Sequence, residues 1–467
     1  VGDIERAVAP GAPLVWDGVA GNTAFDWHVG DPAAVQAAFA AAHHITRIDL
    51  NNNRLVANAM EPRVAIGEYD EGRGEYVLYL SSQNPHVARI LLATATLKVP
   101  EHKIRVISPD VGGGFGSKAM HYAEEVLVLW ASRKIGGRPV KWTCERSEAF
   151  LSDAQGRDHR SHAELALSKD GKFLGLKVSS IANMGAYYST FGPAIPTFYS
   201  APLLVGTYHI PAAYAEVRGV FTNTVPVDAY RGAGRPEAAY VIERVVEQAA
   251  FEMNIDPAEL RRRNFVPPEA FPYNNPLGAQ YDSGNFAAGL DQALQLSDYA
   301  HFAQRREESR RRGRLRGIGL SSYIEACGAG PSKIIMAAGG GSGMFESATV
   351  RVNPSGSVVV ITGTHSHGQG HETTFAQLVA ERLGIPLQSV EVVHGDTGRG
   401  AFGVGTVGSR SLAVGGGAMV KAVDKIIAKG KRIASHVLEA AEADIRFEKG
   451  RFVVAGTDKG ISFPELA

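Results

Sequence analysis

The chain has 467 residues, with 48 lysines and arginines against 48 aspartates and glutamates, and 45% apolar residues. That length exceeds what one core usually supports, so two or three domains are expected, and the even charge balance argues against nucleic acid or an anionic membrane as partner. No run of about twenty apolar residues is present to span a bilayer, and the opening VGDIERAVAPGAP lacks the basic-then-apolar pattern of a secretion signal, so the cytoplasm is the expected location.

Taken in chain order, the elements are mixed α and β. Residues 76–80 and 104–108 run or alternate like strands, and 122–133 has the period of a helix that stops at Gly136 and Gly137. Segments 162–167 and 173–178 flank Lys169, Asp170 and Gly171, a hairpin signal. Residues 236–253 form an amphipathic pattern with a proline at its opening, where helices accept one. The Asn274, Asn275, Pro276 run and the very basic stretch 305–316 mark a hinge region. Beyond it come strands at 348–352 and 357–362, a helix over 372–383, a strand at 390–394 and a glycine-punctuated helix after Ser409. Both halves carry a strand, a glycine loop and a helix, and a helix N-terminus reached through glycines presents free N–H groups and a positive dipole end to an anion.

Two residue types narrow the chemistry. The only cysteines, Cys144 and Cys327, have no metal-ligand spacing, so an iron–sulfur cluster with its usual four thiolates must sit on another polypeptide. Reduced thiols are the expected state of both. The 53 glycines cluster at 111–116, 328–343, 368–370, 395–408 and 415–417, a pattern suited to an extended ligand held by main-chain groups. Each cluster alone is equally well a turn or a close helix crossing. Familiar phosphate loops are excluded: five places after Gly112 stands Ser117, and Lys118 is followed by Ala119, which breaks both the P-loop and the dinucleotide fingerprint.

Five loops carry the chemistry: Ser82-Gln83-Asn84-Pro85-His86; DVGGGFGSK from Asp110; DAYRGAGRP from Asp228; HSHGQGHETT from His365; and GTVGSRS from Gly405. In this order they resemble the molybdopterin-binding loops of the molybdenum hydroxylase large subunits, the xanthine dehydrogenase, aldehyde oxidase and carbon monoxide dehydrogenase family. The resemblance runs from about Phe25 to the C-terminus. It implies an α+β chain of two molybdopterin-binding domains: a linker or extended tail at 1–24, a first domain at 25–270, a connecting segment at 271–315 and an incomplete second domain at 316–467. The family's N-terminal domain and the C-terminal part of its large subunit are expected to be missing.

Carried over by position, Gln83 resembles the glutamine that hydrogen-bonds a molybdenum oxo ligand, a donor that adds no charge beside a metal of changing redox level. Alone, it would be an exposed strand-end amide. Gly114, Phe115 and Gly116 resemble the turn against the metal, with Phe115 walling the substrate pocket; its plainer reading is a core anchor. Arg231 resembles an arginine that orients substrate, although a lone arginine is more often a surface ion-pair member. Gly232, Ala233 and Arg235 continue that loop. Gly368, Gln369, Gly370, His371, Glu372 and Thr373 are expected to cradle the pterin and its phosphates, and Thr406, Gly408, Ser409 and Ser411 to clasp pterin and nucleotide. The pterin holds the molybdenum, so no protein residue is expected to bind the metal directly.

The implied reaction is oxidative hydroxylation, RH + H2O to ROH with two electrons and two protons released. Its electrons would leave through an iron–sulfur small subunit and an FAD medium subunit, and the pterin would be in its cytosine dinucleotide form. The general base, a glutamate in a Gly-x-Gly-Glu loop, is absent here and is expected outside this chain: either the chain is a fragment, or the large subunit is split and a second chain completes the molybdenum site. Glu372 is better read as starting its helix. Two departures narrow the small-molecule substrate. Gly232 stands where carbon monoxide dehydrogenases carry a copper-ligating cysteine, and Ala119 where purine-oxidising relatives carry a glutamate nearby. Aldehydes and aromatic N-heterocycles are therefore expected rather than carbon monoxide or xanthine. The alternatives are a zinc or iron hydrolase using His365, His367 and His371, which a strand would turn to one face, and a noncatalytic cofactor-binding fragment.

Overall fold

A computed structural model describes residues 1–328, 332–337 and 343–467; half of the 328–343 glycine cluster lies outside the described residues. The chain forms two compact units, Val1–Val56 with Asp153–Glu325, and Ala57–Ser152 with Ala326–Ala467. These units cut across the contiguous segments 25–270 and 316–467, because residues 57–152 pack with the C-terminal part.

In the first unit a five-stranded sheet runs Thr23–Gly30, Ala212–Phe221, Phe173–Gly185, His159–Leu167, His44–Asn52. All neighbours are antiparallel except Phe173–Gly185 and Ala212–Phe221. The hairpin read around Lys169 joins its two long strands, closed by Ser168 N–H to Lys172 O at 2.9 Å. The helix Arg235–Glu252 buries Ala238, Val241, Ile242, Val245, Val246 and Ala249, one stripe at helical spacing, in the core that Leu165, Leu167, Leu176 and Val178 supply from the sheet. Residues ahead of Thr23 are folded: Ile4 and Ala7 are buried, and the buried Asn22 amide donates to Ala7 O and Pro13 O.

Among the described residues, the second unit holds three sheets. The first runs Ile104–Ile107, Glu75–Leu80, Val64–Asp70, Val140–Thr143, around a core of Leu78, Leu92, Val106 and Leu129 with the helix Ala123–Lys134. The second runs Ala348–Val352, Val358–Thr362, Val390–Val393; its last two strands are parallel and joined through the helix His371–Leu383. That helix and the following Gly417–Val437 share a core of Val358, Val360, Phe375, Val379, Met419 and Val423. A third sheet, Ile445–Glu448, Arg451–Val454, Gly460–Ser462, adds Phe452. Among the described residues no helix is long and apolar enough to cross a membrane. Cys144 is buried and Cys327 is exposed.

The two glycine loops are not equivalent. Gly370, in the left-handed region, directly caps His371–Leu383. Gly116 instead precedes a short turn at Ser117–Ala119, and the next helix starts only at Ala123. Only the second loop presents a helix N-terminus in the way the sequence suggests for both.

The first unit also buries a charged network. Arg261, with no exposed side-chain surface, donates to Glu243 Oε2 and Glu247 Oε2 at 3.0 Å each and to Leu320 O at 3.1 Å. The Tyr208 hydroxyl donates to the other oxygen of Glu243. Removing one partner of such a pair leaves a buried charge uncompensated, so Arg261→Met should lower the unfolding free energy by about 3–5 kcal/mol, measured by urea titration; a loss below about 1 kcal/mol would contradict this role.

Candidate functional site

In the second unit three of the five loops meet at Gln83, which is 4% exposed and so no strand-end surface amide. Its Oε1 accepts from Gly116 N–H at 2.8 Å, and its Nε2 donates to Thr406 O at 3.1 Å. The main chain repeats the link, Gln83 N–H to Lys118 O and Thr406 N–H to Gln83 O, each at 3.0 Å. These approaches require glycine. A Cβ on Gly114 would overlap the Gln83 amide, and one on Gly405, at φ +87°, would lie 2.5 Å from Gln83 O. A primary amide nitrogen carries two hydrogens, so beyond the bond to Thr406 it can donate once more.

The DVGGGFGSK loop is shaped by a residue that carries no motif. Glu61 Oε2 accepts from Gly112 N–H at 2.8 Å and from Lys118 Nζ at 2.6 Å, with the lysine side chain 1% exposed. Phe115 is 41% exposed at φ +55°, which suits a pocket wall and excludes a core anchor.

The histidine-rich loop lies beyond the strand end at Thr362, so His365 and His367 do not share a strand face. His365 Nδ1 meets His394 Nδ1 at 2.9 Å, His394 Nε2 meets Glu372 Oε1 at 2.7 Å, and His367 Nε2 meets the Gln369 amide at 2.8 Å. Among the described residues no group of three His, Cys, Asp or Glu side chains is placed to hold a metal. Thr406 Oγ1 donates to His365 O at 2.7 Å and lies 2.9 Å from Ser411 Oγ, tying this loop to the last motif. Gly408 and Ser409 offer their carbonyls to Gly328 N–H at 3.2 Å. Thr373 is exposed on the first helical turn, and His371 stacks on Phe375.

Burial holds the His365 imidazole down to about 3, aided by His394, His367 and His371, and holds His367 and His86 down to about 4. All three are neutral at pH 7. Burial raises the Glu372 carboxyl, but its own N–H, His394 and Ser366 outweigh that and leave it below the ordinary range, poorly suited to act as a base.

The DAYRGAGRP loop belongs to the first unit. The buried Asp228 carboxylate gathers Phe191 N–H at 2.8 Å and Ala229 N–H at 2.6 Å. Arg157 packs over the Tyr230 ring, donates to Arg231 O at 3.2 Å and pairs with Glu237 at 2.8 Å; Glu237 also accepts from Gly234 N–H. The Arg231 side chain is exposed, while Arg235 is buried against Tyr199 and donates to Ala233 O. Gly232, Ala233 and Gly234 all have positive φ.

Second-unit residues pass a test of fit to a pterin with phosphates. His371 Nδ1 is buried without a hydrogen-bond partner at the helix start, and Gly368 and Gly370 face open space where a ligand can approach the main chain. Two molybdopterin cofactor-binding domain models match the chain, over residues 15–265 and 292–467. The chain belongs to this family and is of the molybdenum hydroxylase large-subunit type. It is 40% identical to the carbon monoxide dehydrogenase large chain of Hydrogenophaga pseudoflava, over 97% of this chain and 58% of that one. Identity to the nicotine 6-hydroxylase large subunit of Paenarthrobacter nicotinovorans is 34%, over 96% and 54%. The quinoline 2-oxidoreductase structure from Pseudomonas putida 86 superposes with a TM-score of 0.93 at 36% identity, covering all of this chain and 59% of that one. The chain thus spans somewhat over half the length of these relatives.

Glu61 and His394 escaped the sequence reading because neither lies in a glycine loop; only His394, at the end of an expected strand, had any signal. The neutral histidines give a pH test. A histidine held below its unfolded value of about 6.5 contributes stability that is complete above that pH and lost as pH falls, about 2 kcal/mol at pH 5 for His365. The desolvated carboxyls of Glu125 and Glu346 act in the opposite direction. Urea unfolding between pH 7 and 5 should therefore show a steeper loss in the native protein than in His365→Asn. Equal slopes would contradict a neutral, buried His365.

Proposed function

We propose that this chain is the molybdopterin-binding catalytic subunit of a cytoplasmic hydroxylase that oxidises an aldehyde or an aromatic N-heterocycle, with water as the oxygen source. The observation that carries the reading is the buried Gln83 amide, fixed by Gly116 and Thr406 with one N–H left for a ligand. When bound, the molybdenum cofactor supplies the two-electron oxidation and the site of oxygen transfer. Gln83 would donate a neutral hydrogen bond to the bound group, Phe115 would limit the substrate pocket, and Arg231 would orient the substrate. The loops at 368–373 and 406–411 would hold the pterin, in its cytosine dinucleotide form, through main-chain groups and hydroxyls. Electrons would pass to iron–sulfur and FAD subunits, and the general base would be a glutamate supplied from outside this chain.

The N-heterocycle choice is supported by the likeness to proteins named nicotine 6-hydroxylase and quinoline 2-oxidoreductase, and by Ala119, which offers no side-chain hydrogen bond to a purine edge. The carbon monoxide dehydrogenase relatives favour a second reading, with carbon monoxide as substrate. Against it stands the backbone at Gly232. Glycine offers no thiolate for copper, and its φ of +88° with a Cβ that would overlap Pro236 Cγ disfavours a cysteine in this loop.

The test is oxidation of aldehydes, N-heterocycles and carbon monoxide by the native complex in oxygen-18 water, with copper measured in parallel. Labelled product from an organic substrate and no bound copper are expected, and Gly232→Cys should gain neither copper nor carbon monoxide oxidation. Copper-dependent carbon monoxide oxidation by the native complex would replace this reading with the second.

A further inference from the structure

The Gly405–Ser411 loop rests on a buried ion pair that no motif announces. Neither Glu346 nor Arg410 exposes any side-chain surface. Arg410 Nη1 pairs with Glu346 Oε1 and donates to Gly405 O at 3.1 Å, while its Nη2 donates to Met344 O at 3.2 Å. Glu346 Oε1 also accepts from Gly405 N–H at 3.0 Å. Two opposite charges therefore claim the N–H and the C=O of one glycine and fix its orientation. The fold makes room for them: a Cβ on Gly403 would overlap Glu346 Oε2, and one on Gly363 would lie 2.7 Å from it. Gly405 is followed by Thr406, whose N–H and C=O bind Gln83 O and Gln83 Nε2.

Stability alone does not account for such a pair. Desolvating two charges is costly enough that well-packed apolar residues of similar volume often serve as well or better. What an apolar pair cannot do is hold the two polar groups of Gly405 in one direction.

We propose that Glu346 and Arg410 are positioning residues for the molybdopterin site: through Gly405 and Thr406 they set the orientation of the Gln83 amide. This rests on the cofactor reading given above. In the native complex, Glu346→Leu combined with Arg410→Met removes the charges while keeping the volume apolar. Its melting temperature should stay near that of the wild type, while amide exchange at 405–407 rises about 10- to 100-fold relative to the strand Val358–Thr362. The electron paramagnetic resonance signal of Mo(V) should shift, and kcat should fall more than KM changes. A variant that keeps wild-type exchange at 405–407 and an unaltered Mo(V) signal would overturn the proposal. Should that variant fail to accumulate, Glu346→Gln and Arg410→Lys take its place: faster exchange confined to 405–407 supports positioning, and a uniform rise across the unit refutes it. Wild-type complex without any Mo(V) signal would defeat the cofactor reading, while the exchange comparison would still decide whether the pair holds the loop.

Discussion

A buried primary amide must satisfy both its ends, and that requirement organises the second unit. Gln83 has its oxygen on Gly116 N–H and its nitrogen on Thr406 O. Leaving either partner unmatched would cost on the order of 1–3 kcal/mol. The segments around residues 83, 116 and 406 are far apart in sequence, so the amide is satisfied only when all three loops are in place. The Thr406 hydroxyl extends the same condition to the histidine loop through His365 O.

The glycines and the neutral histidines are two answers to one problem. An extended heteroaromatic ligand with many donors and acceptors needs main-chain groups close to it, and side chains would keep the backbone away. Around Gln83 the close approaches at Gly114 and Gly405 leave no space for a Cβ. His365 and His367 are held neutral by burial. Charges are paired and set behind the loops: Glu61 with Lys118 under the first, Glu346 with Arg410 under the last.

Local patterns were legible in the sequence and distant partnerships were not. Periodicity placed the helices observed at Arg235–Glu252, Ala123–Lys134 and His371–Leu383 within a residue or so, and the hairpin at Lys169–Gly171 formed as its turn residues require. The five loops pointed to the family because each is a short, contiguous run. The compact units were hidden, since nothing local shows that 57–152 packs with the C-terminal part. His365 and His367 misled for a related reason: alternation suggested a strand face, but the strand ends at Thr362 and each ring finds its own partner. Glu61, His394, Glu346 and Arg410 act through partners across long sequence separations.

The central claim is that the loops converging on Gln83 hold molybdopterin. It is tested most directly by elemental and pterin analysis of the native, assembled complex, with Gln83→Ala prepared alongside. The account predicts molybdenum close to one per chain, a releasable pterin, and reduced content of both in the variant. Neither molybdenum nor pterin in a properly assembled native complex would contradict it.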